Sequence, residues 1–373
     1  MRGLIPSGDL MLEPGIVHLQ TGTLGLMPRP VFDATVAAAR EVERDPLIAA
    51  YGPGKTRLDG VRSKAAELLG CGMDEVILTG STTSGMNMVA EGLRLSPGDR
   101  ILTTDQEHHG GELCWRWLER RAAVKVDMVT VPPGESSPTA IVDRFRQAIT
   151  PTTKVISFSD ILYSTGLRMP AAEICALARE RGCLVVIDGA QAVGASPVNV
   201  KALGCHFYAT TGHKWLNGPK GTGLLYISAE ADMQLDAMAL QSGRQANSDA
   251  TGVSNIAGLH GFGAAIDYIQ AIGLARIEQH NLALSRELRE GLSGLPKIEF
   301  ATPAEGPLAS QLLTFSVSGV DAKKLRGTLA GRHRIHIRAV DQAGYTGLRA
   351  SPHLFNSSDD VQALVRALQQ ELA

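Results

Sequence analysis

This 373-residue chain is short of excess charge, paired cysteines and long apolar runs, and each shortage closes off a class of function. Thirty-six basic residues against 38 acidic ones leave a net charge of -2, which removes the broad electrostatic case for nucleic acid or an anionic membrane as partner. The five cysteines, Cys71, Cys114, Cys175, Cys183 and Cys205, are odd in number and scattered, with no CxxC pair. That spacing argues against both a disulfide framework and a zinc site, and it is how reduced thiols of an intracellular protein are distributed. No run of about 18 apolar residues occurs, and Met1 to Leu12 has no basic segment leading into an apolar core and cleavage signature. The expected location is cytoplasmic. Internal repeats and low-complexity segments are also missing.

What the chain does have is core-forming material, 44% hydrophobic against 20% charged residues, over a length that suggests two domains. From Pro30 to Ile227 short β-rich runs alternate with amphipathic segments, the pattern of a sheet with crossover helices. Strands are expected at Glu75–Thr79, Arg100–Thr104, Lys125–Val131, Lys154–Phe158, Leu184–Ile187, His206–Thr210 and Gly223–Ile227. Their short apolar character fits buried, mostly parallel strands. Helices are expected at Val31–Arg44, Leu58–Leu69, Ser84–Leu95, Pro138–Ile149 and Pro170–Arg181. The Gly-rich piece Gln241 to Gly263 reads as a loop, and Ala264 to Leu292 as one long helix leading into a small α+β unit that closes with the helix Ser358–Leu372. The expected division is an N-terminal segment 1–29, a large α/β domain 30–263 and a small C-terminal domain 264–373.

The strand ending at Ile187 delivers Asp188-Gly189-Ala190-Gln191, and in an open α/β sheet ligands gather at the C-terminal ends of strands. Such an ending also serves as an ordinary turn or helix cap. Further on, Gly212-His213-Lys214-Trp215 precedes the glycine-dense Gly218 to Gly223. A lone loop lysine is commonly a solvated charge, but Trp215 and Leu216 argue for burial, and a desolvated lysine has the lowered pKa of a nucleophilic amine. A carboxylate and a lysine so placed suit pyridoxal 5'-phosphate: Lys214 would condense with its aldehyde while Asp188 keeps the pyridine nitrogen protonated, so that the ring accepts electrons. Gln191 is placed to donate to the phenolic oxygen.

Gly80-Ser81-Thr82-Thr83-Ser84-Gly85, between a strand and a helix, offers the backbone N–H groups and hydroxyls that bind phosphate, with Thr82 and Thr83 as ligands. An ordinary N-cap cluster has the same composition. Thr211 and His213 would close the other side of the phosphate. In Glu107-His108-His109 the imidazole of His108 can cover the pyridine ring or exchange protons with substrate, and no third histidine at useful spacing points to a metal. Arg338 and Arg349 lie in strand candidates of the small unit, where a guanidinium suits a substrate carboxylate or simply a surface ion pair.

Together these residues resemble the class V aminotransferase family of fold type I pyridoxal phosphate enzymes, which includes cysteine desulfurases, isopenicillin N epimerase and cysteine carbon–sulfur lyases. The resemblance spans nearly the whole chain and is most specific where Ile187-Asp188-Gly189-Ala190-Gln191 meets Gly212-His213-Lys214-Trp215, followed by Gly218-Pro219-Lys220-Gly221-Thr222-Gly223. It implies Lys214 as the cofactor lysine, Asp188 at the pyridine nitrogen, Gln191 at the phenolic oxygen, His108 on the ring, and Thr83 and His213 at the phosphate beside Thr82 and Thr211. Leu348-Arg349-Ala350-Ser351-Pro352-His353 resembles the segment whose arginine binds the substrate α-carboxylate, and Arg338 matches a second arginine of some members. A homodimer with the site at the subunit boundary is implied as well.

Departures from the pattern narrow the chemistry. Desulfurases carry a persulfide-forming cysteine in the small domain, yet this chain has none after Cys205. Tyr163 stands where desulfurases have an asparagine, and Val253 where a threonine of the neighbouring subunit is found, with Thr251 and Ser254 nearby. The opening Val17 to Gly25 is closest to the epimerase-like branch. The expected activity is β-elimination from an S-substituted cysteine, a small amino-acid substrate, with Lys214 as base and His108 as acid. Epimerisation, transamination and a non-catalytic pyridoxal-binding role are the alternatives.

Overall fold

The computed structural model describes residues 2–232, 235–236 and 253–372. Seven strands form the large sheet, in the spatial order Val76–Thr79, Gly223–Ile227, Phe207–Thr211, Leu184–Asp188, Thr153–Ser159, Arg100–Thr104 and Lys125–Val129. Only Gly223–Ile227 runs antiparallel to its neighbours; the pairings from Phe207–Thr211 to Lys125–Val129 are parallel. The near-continuous apolar runs are explained by helices on both faces: Val185 and Ile187 pack into one core layer and Val186 into the other. Lys125–Val129 lies at the edge, where Asp127 is tied to Arg100 at 2.5 Å. Thr79, Thr104, Ser159, Asp188 and Thr211 therefore all end at one edge of the sheet.

The smaller unit is a four-stranded antiparallel sheet ordered Arg338–Gln342, Tyr345–Ala350, Leu313–Val317 and Ile298–Phe300. The helices Leu274–Ser293, Ala322–His333 and Ser358–Leu372 share its core, and Val361, Leu364, Val365 and Leu368 of the last helix are buried as its period requires. Val17–His18 pairs with Ile335–His336, and Ser351 N donates to Leu19 O at 2.7 Å. This anchoring aims Thr21 to Gly25 into the cleft between the two sheets.

Two local expectations differ from the structure. The expected long helix is two, Ile256–Ile272 and Leu274–Ser293, broken at Gly273, whose φ of 93° other residues rarely adopt. Of the expected loop, residues 256–263 are helical, capped by Asn255, whose side chain accepts from Gly258 N at 3.0 Å. The glycines there serve close packing rather than chain flexibility: a Cβ on Gly261 would lie 1.9 Å from Thr35 Oγ1, and one on Gly263 2.9 Å from Val61 Cγ2. Residues 241–252 of that expected loop, Thr251 included, lie outside the described residues, and Val253 is 62% exposed.

Candidate active site

The ends of five of the seven strands, and the loops that follow them, contribute side chains to one cavity of about 200 Å³. Its lining contains ten of the residues singled out in the sequence, Thr82, Thr83, His108, Asp188, Gln191, Thr211, His213, Lys214, Arg338 and Arg349, together with Tyr163, but neither Val253 nor Ser254. Lys214 is half-buried beyond the end of Phe207–Thr211, and desolvation pulls its amine down to about 8, with Asp188 opposing and the two arginines adding to the shift. Asp188, also buried, is pushed upward by desolvation, and its Oδ1 accepts from Ala190 N at 2.9 Å. A Cβ on Gly111 would stand 3.0 Å from Asp188 Oδ2, so glycine at that position lets the helix His109–Ala122 come close to the carboxyl.

His108 is the N-cap of that helix, its Nδ1 accepting from Gly110 N at 3.1 Å. A ring that accepts at Nδ1 carries its proton on Nε2. Burial, helped by Lys214 and the arginines, lowers it to about 4, so it is neutral at ordinary pH. Tyr163 stands edge-on to it, with ring centroids 4.9 Å apart. Tyr163 is itself pinned: its hydroxyl donates to Gln342 Oε1 at 2.8 Å and its carbonyl accepts from Arg349 Nη1 at 2.6 Å.

At the start of the helix Thr82–Gly92, Ser81 is the N-cap and Thr82 Oγ1 is buried without a partner. Across from it Thr211 Oγ1 and His213 Nδ1 are 2.8 Å apart, and His213 is lowered to about 4 by burial. Gln191 has its amide engaged: Nε2 donates to Gly22 O and Oε1 accepts from Trp215 Nε1, both at 2.9 Å. It braces the N-terminal segment against the lysine loop.

Gly22, Thr23, Ser81, Ser159, Ile161 and Ala190 also line the cavity, although no sequence motif assigns them to a site. Ser81 was legible as the N-cap of its own motif, whereas nothing local marks Gly22 and Thr23, which arrive through the pairing of the N-terminal segment with the small sheet. Glu107 was passed over too. Its buried carboxyl takes Thr104 Oγ1 at 2.6 Å and Ser159 N at 3.1 Å on Oε1, faces Ser159 Oγ at 2.6 Å with Oε2, and is pushed up to about 7 by desolvation.

Comparison with known proteins agrees with this geometry. The chain is 30% identical over 385 residues to an isopenicillin N epimerase of Amycolatopsis lactamdurans, covering 97% of this chain and 96% of that one. It is 29% identical over 393 residues to a probable cysteine desulfurase of Methanothermobacter thermautotrophicus, with the same two coverages. Among solved structures, the cystine C–S lyase C-DES in complex with its reaction product cysteine persulfide superposes with a TM-score of 0.84 at 25% identity, covering 95% of this chain and 97% of that one. The profile of the family described as aminotransferase class-V matches residues 38–364, and the chain belongs to that family of fold type I enzymes.

Proposed function

We propose that the cavity holds pyridoxal 5'-phosphate and that the chain eliminates a sulfur leaving group from an S-substituted cysteine. The observation that carries the reading is one cavity combining a half-buried, desolvated lysine, a buried carboxyl and two arginines, with no cysteine among its described lining residues. The fit to the cofactor rests on groups that otherwise lack a purpose: the unpartnered Thr82 Oγ1 beside a helix N-terminus for phosphate, and a desolvated Asp188 for a pyridinium. The cofactor, when bound, supplies an electron sink for the substrate α-carbon.

In this reading Lys214, poised near 8, takes the α-proton, and the electron pair released from the C–H bond forms the α,β double bond as the C–S bond breaks and sulfur leaves with its own pair. The thiol departs as thiolate or recovers the proton from Lys214; pyruvate and ammonia follow by hydrolysis. His108, neutral and locked as an N-cap, is assigned to covering the cofactor ring rather than to acid catalysis. Arg349 takes the α-carboxylate. The full-length similarity to an isopenicillin N epimerase favours a second reading in which the proton returns to the opposite face and no bond to sulfur breaks.

The test is the purified protein, incubated with pyridoxal 5'-phosphate and mixed with cysteine S-conjugates in deuterated water. Thiol and pyruvate released together support elimination, deuterated and inverted substrate without release supports epimerisation, and a colourless protein that takes up no cofactor refutes both.

We propose the division 1–29, 30–263 and 264–373, whose second boundary falls within the helix Ile256–Ile272. Leu47, Ile48 and Tyr51, 73%, 50% and 44% exposed, favour a homodimer, since such apolar surface invites cover; sedimentation tests it. Free thiols at all five cysteines suit the cytoplasm, and among the described residues no helix is long and apolar enough to cross a membrane.

A further inference from the structure

Arg338 and Arg349 are register partners, directly opposite each other in the antiparallel ladder, and both line the cavity. Like charges so placed weaken a sheet. Their described hydrogen-bond partners are neutral: Arg349 donates to the Tyr163 carbonyl and to Thr23 Oγ1, and Arg338 donates to the same Thr23 Oγ1 at 3.4 Å. Arg338 also lies over the Tyr163 ring, 5.7 Å from its centroid. Among the described residues neither guanidinium has a carboxylate at ion-pair distance, and the Nε of each is buried without a partner.

Two adjacent cations, Arg349 buried and Arg338 half-buried, need counter-charge, and no described residue places a carboxylate beside them. One guanidinium is enough for one carboxylate, because its planar fork matches the two oxygens. Tyr163 keeps the two forks in different roles, with Arg349 tied to its carbonyl and Arg338 against its ring face. Nor is the phosphate available to neutralise them when its donors are Thr82, Thr83, Thr211 and His213 at other strand ends.

We infer that the substrate is an amino acid carrying a second anionic group, with the α-carboxylate on Arg349 and the side-chain anion on Arg338. This rests on the reading of the cavity as an amino-acid site and sharpens it to a class: cysteine conjugates that end in a carboxylate, such as S-carboxymethylcysteine, rather than simple S-alkyl cysteines.

The experiment is ligand titration of the holoenzyme, read by the change in visible absorption of the bound cofactor, with near-isosteric pairs. S-carboxymethyl-L-cysteine is compared with S-propyl-L-cysteine, and L-2-aminoadipate with L-norleucine, so that one pair lacks a sulfur leaving group and reports binding alone. The expected result is at least about tenfold tighter binding of the acidic member in each pair. In Arg338→Met that ratio falls to about one, and Arg338→Lys recovers part of it by restoring charge without the fork. Equal affinity for both members in the wild-type enzyme overturns the inference, and so does a ratio that survives in Arg338→Met. Equal weakening of both members in Arg338→Met also overturns it, because the two arginines would then be one clamp for a single carboxylate. The wild-type ratio decides the matter even if a variant does not fold. Loss of the amino-acid site itself is seen separately, as no absorption change with any of the four ligands.

Discussion

Gly25 is the position where the N-terminal segment and the lysine loop meet, so Gly25→Ala tests whether that segment fixes Lys214. Gly25 N donates to His213 O at 2.7 Å, and a Cβ built on Gly25 falls 2.0 Å from Lys214 O and 2.6 Å from Asn217 Oδ1. Reaching even 3.0 Å, the shortest separation real Cβ atoms tolerate, requires the Lys214 carbonyl or the N-terminal segment to retreat by at least 1.0 Å. The obstacle is backbone, so no side-chain rotation relieves it. Overpacking of this kind costs about 1–3 kcal/mol. A 1 Å misplacement of a reacting group costs on the order of 10²-fold in rate. The variant is therefore expected to fold with a modestly lowered melting temperature, yet to capture pyridoxal phosphate much more slowly, read as growth of visible absorption in the apoprotein. Gly8→Ala is the control, because a Cβ there meets nothing within 4 Å. If Gly25→Ala takes up cofactor at the wild-type rate, the close approach does not position Lys214, and the case for the N-terminal segment as part of the site collapses.

The amine of Lys214 sets a pH profile: it must be neutral to attack the cofactor aldehyde, so the capture rate of the apoprotein should climb with pH and level off above about 8. A plateau displaced to the ordinary lysine range would contradict its burial. Glu107 is raised from 4.5 to about 7, so the native state keeps a proton that the unfolded chain releases, and this group's contribution to stability falls as pH rises from 4.5 through 7. Glu107→Gln should remove that slope, and apoprotein melting curves of the two forms that stay parallel across the window would show that Glu107 titrates normally. Gly261→Ala, with its Cβ 1.9 Å from Thr35 Oγ1, should lower the melting temperature unless the Thr35 hydroxyl swings away, which Gly261→Ala in a Thr35→Ala background separates.

Legibility in the sequence followed the range of the physical signal. The strands of the large sheet could be read because burial on both faces leaves continuous apolar runs, as in Leu184–Asp188 and Gly223–Ile227, and each ends where polar residues resume. Asp188 and Lys214 were found for the same reason: a charged residue at the end of an apolar strand, or beside Trp215, is conspicuous. Glycine misled where its two uses conflict. Around Gly258, Gly261 and Gly263 it permits helices to touch, and composition alone cannot tell that from a loop. Hardest to read were the contacts made across the whole chain. Thr23 shares its hydroxyl between two arginines more than 300 residues away, and Gly22 receives the Gln191 amide. Both depend on Val17–His18 pairing with Ile335–His336, two-residue strands too short to have a period. The residues that join the N-terminal segment to the site are thus the ones for which the sequence has no local signal, and they are also the ones whose substitution by alanine separates folding from function most cleanly.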